Sequence, residues 1–266
     1  MSWFRDDLSL FERLDAEGSL EDERTDVAVA DGVRLARRGV LWLSAGAVGA
    51  VLSGGHALAQ ATATAPAQAD PGLDLEPLDM GAFLRTVYPL AKAQVESGGK
   101  GEETYLLSVA MAMSRLTAPG TKVREEMRAF REAHAADGAR FPLAVLSLDL
   151  EPGGGFRHHD HRDYNGVILG LEGEVRVRNF DILAEGLPAK GETFQVRETR
   201  DDLILPGRFS TLGRTRENVH DLVAGPEGGR VLDLFTFYEA GARSYWMEVD
   251  EKPRDAERRI HDAAWS

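Results

Sequence analysis

The run Gly153-Gly154-Gly155-Phe156-Arg157-His158-His159-Asp160-His161 sets two imidazoles two residues apart, just after a glycine-rich turn. On a β-strand alternate residues share a face, so His159 and His161 can reach one ion from one strand. A third ligand must come from another segment. His220, in Glu217-Asn218-Val219-His220-Asp221-Leu222, lies in a run that reads as a strand. Facing strands of a barrel would bring the three together, and imidazole is a natural ligand for iron, zinc, copper or nickel. His158 and Asp160 alternate to the opposite face, behind the ligands or toward solvent. The chain has no cysteine, which removes a thiolate metal site, a cysteine nucleophile and a disulfide framework. His56, His134 and His261 stand alone, as surface and core histidines do.

The elements that must position these side chains fall into two groups. Between Leu75 and His134 the apolar residues recur at helical spacing: Phe83, Val87, Leu90 and Ala91, then Leu106, Val109, Ala110 and Met113. After Thr117-Ala118-Pro119-Gly120 the helical pattern resumes from Val123 to Ala136. Three helices packed against a larger body are expected over residues 74–140. Beyond Phe141 the period shortens to two. Leu143 to Leu150, Gly166 to Phe180 with a turn at Glu172-Gly173, Leu203 to Pro206, Asn218 to Ala224 and Arg230 to Tyr238 read as short strands between glycine- and proline-bearing turns. That pattern predicts a mainly β protein, a sandwich or barrel spanning residues 141–250, with a tail over 251–266. No fixed-period repeat is present, which argues against solenoids and propellers.

Hydrophobic residues make up 43% of the chain and charged residues 28%, an ordinary globular balance. The net charge of −13 makes nucleic acid an unexpected partner, since phosphate backbones attract basic faces. Arg37-Arg38 precedes an uncharged, mildly apolar stretch from Gly39 to Ala59 that ends in Ala57-Leu58-Ala59, a small-x-small pattern. Together these read as a twin-arginine export signal over residues 1–59, with the export machinery as a partner and the periplasm as the destination. An uncleaved membrane anchor is the alternative, although so many glycines and serines insert poorly. Residues 60–73, mostly Ala, Thr, Pro and Gln, read as a tether.

The histidine motifs resemble those of the cupin barrels. Gly153, His159 and His161 match the front of the first cupin motif and Gly173 the glycine that closes it, while Pro206-Gly207 and His220 match the second. Many cupins carry a glutamate shortly after the second histidine, where this chain reads Arg162-Asp163-Tyr164-Asn165-Gly166. An all-histidine set resembles the thiol dioxygenase family of cysteamine dioxygenase and the plant cysteine oxidases. Its His-Asp-His element, Asn-Ile-His segment and hydrophobic-Asp-hydrophobic strand are matched by His159-Asp160-His161, Asn218-Val219-His220 and Leu232-Asp233-Leu234. A late Arg-x-x-x-Tyr-like segment is echoed by Arg243-Ser244-Tyr245-Trp246, and the resemblance spans roughly Leu75 to Val249.

The resemblance implies a double-stranded β-helix barrel with a small N-terminal helical segment, Fe(II) on His159, His161 and His220, and oxidation of a small aminothiol or N-terminal cysteine to a sulfinic acid with dioxygen. It also implies roles for Asp233, orienting a ligand or the substrate amine, and for Tyr245, donating a hydrogen bond to bound oxygen. Two departures stand out: the family's late segment usually carries a cysteine that this chain lacks, and its best-known members act in the cytosol or nucleus. The same triad could serve a ring- or diketone-cleaving oxygenase, or a non-catalytic metal or small-molecule binder.

Overall fold

A computed structural model describes residues 76–117, 119–120, 122–134, 141–239 and 241–266. The export signal and the tether expected from the sequence lie outside these residues. No helix among the described residues is long and apolar enough to cross a membrane.

Among the described residues three helices come first. Helix α1, Met80–Glu96, starts where the Asp79 carboxylate accepts a hydrogen bond from the Ala82 amide at 2.6 Å, an N-cap that satisfies one free donor. It buries Phe83, Leu84, Val87 and Ala91, one stripe at helical spacing. Helix α2, Glu102–Met113, carries Glu102 and Glu103 at its positive end. Helix α3, Val123–His134, is strongly amphipathic and brings Phe130 against Tyr88 and Phe141. The stripes of all three pack on Leu143, Val145, Val167, Leu169, Leu232 and Leu234, which form the outer face of one side of the sheet.

Eight strands follow: β1 (Leu143–Leu150), β2 (Gly155–Asp160), β3 (Tyr164–Ile182), β4 (Thr193–Ile204), β5 (Phe209–Leu212), β6 (Val219–Phe237), β7 (Met247–Val249) and β8 (Ile260–Trp265). They form one antiparallel sheet in the order β1-β6-β3-β4-β8-β7, with β2 also on β6 and β5 also on β3. The two 19-residue strands explain how it curls. One half of β6 pairs with β1 and the other with β2, while β3 divides itself between β5 and β4. Each long strand therefore serves both walls, and bulges near Gly170 and Gly173 bend β3 between them. The result is an antiparallel β-barrel with a helical layer on one side. Its interior is filled by Ile168, Val175, Val177, Ile204, Leu212, Leu222, Ala224 and Val231.

Three expectations need correction. Glu172-Gly173 is not a turn between two strands: β3 continues through it with a bulge. Gly173 has φ +65°, and a Cβ there would stand 2.3 Å from the Gly228 carbonyl, so glycine is required by a bulge and a close crossing strand. The runs 218–224 and 230–238 are likewise one bent strand, β6, rather than two. Finally, the expected tail is part of the barrel. Its β8 pairs with both β4 and β7, and the Trp265 indole donates to the Pro188 carbonyl at 2.9 Å.

Candidate metal centre

Strand register assembles the three histidines. His159 on β2 faces His220 on β6 directly, and His161 follows at the end of β2, where its amide donates to the Asn218 carbonyl at 2.7 Å. All three are buried, at 7%, 0% and 1% exposure for His159, His161 and His220. Their Nε2 atoms form a triangle with sides of 2.9, 3.1 and 3.3 Å. Among the described residues, these three are the group of His, Asp and Glu side chains that could hold one ion. The expected ligands are thus brought together, and no carboxylate joins them.

The triangle fits a cation better than a hydrogen-bonded trio. The Nδ1 of His159 donates to the Arg157 carbonyl at 2.8 Å, which leaves its Nε2 with a lone pair. With neutral rings, one of the three contacts must then set two lone pairs or two protons face to face. An ion at about 2.1 Å from each nitrogen uses all three lone pairs and subtends N–metal–N angles of roughly 90–105°. Neutrality is enforced by the surroundings. Burial pushes His159 down to about 4 and holds His161 and His220 well below the usual histidine range.

Aromatic rings wall the centre. Trp246 forms a bridge with His159 and sets its indole 4.7 Å from that imidazole, while Tyr164, fully buried, packs 4.2 Å from His161. Neither was anticipated as a site residue, because an aromatic in a strand looks like core. Gly166 lies between His161 and Asp233: a Cβ there would sit 3.8 Å from both His161 Cε1 and Asp233 Oδ1, and 3.0 Å from the Leu234 carbonyl.

Asp233 is 3% exposed, and burial holds its carboxyl well above the usual range. Its Oδ1 has no hydrogen-bond partner among the described residues, nor do Nδ1 of His161, Nδ1 of His220, Oδ1 of Asn179 and Oγ of Ser210. Asn179 pairs in register with His220, and Ser210 and Asp233 flank Ile168 of the barrel interior on either side. The barrel therefore carries polar atoms beside the triad that the protein itself leaves unsatisfied, an arrangement native cores avoid unless water or a ligand completes it.

Tyr245 is placed differently. It is 41% exposed, with the Arg162 guanidinium 4.0 Å above its ring. Its backbone is tied to Asp160, accepting from the Asp160 amide at 3.0 Å and donating to Oδ1 at 3.1 Å. The residue that touches a ligand histidine from this segment is Trp246. His158 and Asp160 lie behind the ligands, as the alternation predicts, but both are buried and not in solvent. Arg178 alternates with apolar residues along β3, a pattern that reads as a surface position, yet it is 9% exposed.

No family model matches the chain, and no curated protein matches it. Solved structures of similar shape include oxalate oxidase in complex with glycolate, at 15% identity and TM-score 0.31 over 40% of this chain and 46% of that one. KdgF from Halomonas sp. matches at 17% identity and TM-score 0.27 over 37% of this chain and 72% of that one. A tryptophan-to-phenylalanine variant of oxalate decarboxylase from B. subtilis matches at 20% identity and TM-score 0.30 over 40% of this chain and 24% of that one. The matched region spans less than half the length of the oxalate oxidase and oxalate decarboxylase chains.

Proposed function

We propose that this protein is a non-haem iron dioxygenase that oxidises a thiol to its sulfinic acid, R–SH + O2 → R–SO2H. The observation that carries the reading is the ligand set: three buried, neutral imidazoles with no carboxylate among them. Fe(II) held by His159, His161 and His220 would supply a cation with open positions where a thiolate and dioxygen can meet.

The ligands add no negative charge, so the centre favours an anionic sulfur more than one with a ligating carboxylate would. Asp233, whose carboxyl burial holds toward its neutral form, lies across Gly166 from His161 and can donate or accept a hydrogen bond there. Together with Oδ1 of Asn179 and Oγ of Ser210 it offers buried, unsatisfied polar atoms that can orient the polar part of a small substrate. Tyr164 and Trp246 exclude water from two of the imidazoles. The substrates that follow are a small aminothiol or a peptide with an N-terminal cysteine.

The test is metal content and oxygen consumption, measured together on anaerobically purified protein across a thiol panel. About one iron per chain and oxygen uptake with at least one thiol is the expected result. Uptake with a diketone or aromatic substrate and none with thiols would replace the thiol reading with another cupin oxygenase. No uptake with any substrate would leave a metal-binding module.

A further inference from the structure

The sheet face behind the imidazoles carries a buried charge network that the proposed chemistry does not use. Arg178 of β3 and Asp221 of β6 are register partners. One step along the same pairing Asn179 faces His220, and His220 in turn faces His159 across β6 and β2. Because side chains alternate, Arg178 and Asp221 project to the side opposite His220, and His158 to the side opposite His159.

There the groups interlock. Nε of Arg178 donates to both carboxylate oxygens of Asp221, at 3.1 and 3.0 Å, and Nη2 donates to Oδ2. The same Nη2 reaches His158 Nε2 at 3.4 Å, and Nη1 donates to Glu251 at 3.1 Å. Arg178, Asp221 and His158 are 9%, 4% and 8% exposed. Burial works against the Arg178 charge, but the hydrogen bonds to Asp221 and Glu251 outweigh it and keep the guanidinium charged.

We infer that the Arg178–Asp221 pair is a positioning device for the metal centre. It ties β3 to β6 immediately behind His220, draws His158 in behind His159, and so holds the imidazoles converged before an ion arrives. The need for such a device is physical. Three Nε2 atoms within 3.3 Å of one another cannot all be satisfied without a cation, so the backbone beneath them must resist their separation. A buried ion pair suits this, because desolvation cancels most of its net stabilisation while its directional hydrogen bonds fix geometry. The inference rests on the triad as a metal site and is independent of the substrate.

The protein contains its own control. Arg176, two residues earlier on the same strand and face, binds Asp201 through two hydrogen bonds of 2.7 and 2.8 Å. That pair is more exposed, at 52% and 33%, and joins β3 to β4, which bears no ligand.

Cobalt(II) titration of the metal-free full-length protein, read by ligand-field absorption and by competition with zinc, separates the two. Arg178→Gln is expected to weaken cobalt binding about 10-fold or more, as loss of groups that support ligands does, and to alter the absorption band. Arg178→Lys should restore part of the affinity. Arg176→Gln should leave affinity within about twofold of the wild type, since exposed pairs contribute little. If Arg178→Gln does not fold, the apolar double replacement Arg178→Met with Asp221→Leu takes its place; it is expected to fold and still bind cobalt weakly. The proposal is overturned by a folded Arg178 variant with wild-type affinity and spectrum, by an equal loss in Arg176→Gln, or by failure of the double variant to fold. That last result would make the pair a requirement of the barrel and not of the site. A wild type that binds no cobalt would instead overturn the metal reading itself.

Discussion

His159 and His220 face each other across β2 and β6 with their Nε2 atoms 2.9 Å apart, although 61 residues separate them in the chain. Their approach is a consequence of strand register, and register is all-or-none: a slip of β2 by one residue would turn His159 away from His220 to the other face. The side chains next to them, His158 and Asp221, already occupy that other face.

The first prediction separates ligands from neighbours. His159→Ala, His161→Ala and His220→Ala should each lose iron, with affinity falling by more than the roughly 10–100-fold typical of a supporting group. His158→Ala should keep most of it, because its ring touches Asp221 and Arg178 and not the Nε2 triangle. Metal analysis of the four proteins checks this. Full iron occupancy in His220→Ala would sink the triad.

Asp233 yields a prediction with two opposed signs. Its folded-state pKa is raised by burial, so between the ordinary carboxyl range and that raised value the folded protein holds a proton the unfolded chain has released. Stability therefore falls as pH rises above about 4. Asp233→Asn, already neutral, escapes this loss and should be at least as stable as the wild type at pH 7, with the difference closing in acid. Turnover should nevertheless drop about 10–100-fold while iron content stays near the wild type. Denaturation as a function of pH, set beside rate and metal measurements, decides the matter. A variant that is both less stable and iron-poor would make Asp233 a structural residue.

The helical layer is tested at Phe83, which is fully buried against the barrel. Phe83→Ala should cost about 3–5 kcal/mol in a urea melt. A single transition is expected, because the helices and strands β1, β3 and β6 share one core. A separate early transition would show the helices to be an independent unit.

Those same contacts show what could be read from sequence and what could not. The histidine ligands were legible because a period of two, a preceding glycine run and a later strand histidine all bear on one ion. The helices were legible because their apolar stripes are long. The continuity of β3 and β6 was not, since Gly173, Gly228 and Gly229 carry the composition of turns while serving a bulge and a close crossing of strands. Arg178 looked like a surface residue because its strand alternates apolar and charged residues. Its burial depends on Asp221 and on Glu251, 43 and 73 residues away, which no local pattern reports. The β8 strand was hidden behind the charged stretch 250–259, which resembles a solvated tail.

Export is a prediction about residues outside the described structure. Twin-arginine transport carries folded proteins, which would let the barrel take up iron in the cytoplasm before it crosses. Replacing Arg37 and Arg38 together with lysine should hold the full-length protein in the cytoplasm, while the wild type is found in the periplasm and shortened after Ala59. Fractionation with N-terminal sequencing reads both. A wild type that stays cytoplasmic and full length ends the idea.

The reaction itself gives the last prediction. With Fe(II) and dioxygen, the protein should convert cysteamine, free cysteine or a peptide with an N-terminal cysteine to the sulfinic acid. Mass spectrometry should show a gain of two oxygen atoms, both heavy when the gas is isotopically labelled dioxygen, because the balance R–SH + O2 → R–SO2H draws neither from water. The reasoning returns to charge. Three neutral ligands leave the cation's charge uncompensated, and a thiolate supplies the missing anion, whereas a neutral substrate would not. The unsatisfied Oδ1 of Asp233, Oδ1 of Asn179 and Oγ of Ser210 can then orient what the sulfur carries. Label from water in the product would point to a different route to the same acid. If iron-loaded protein oxidises none of these thiols faster than free iron does, the thiol assignment falls and the three-histidine metal centre stands without it.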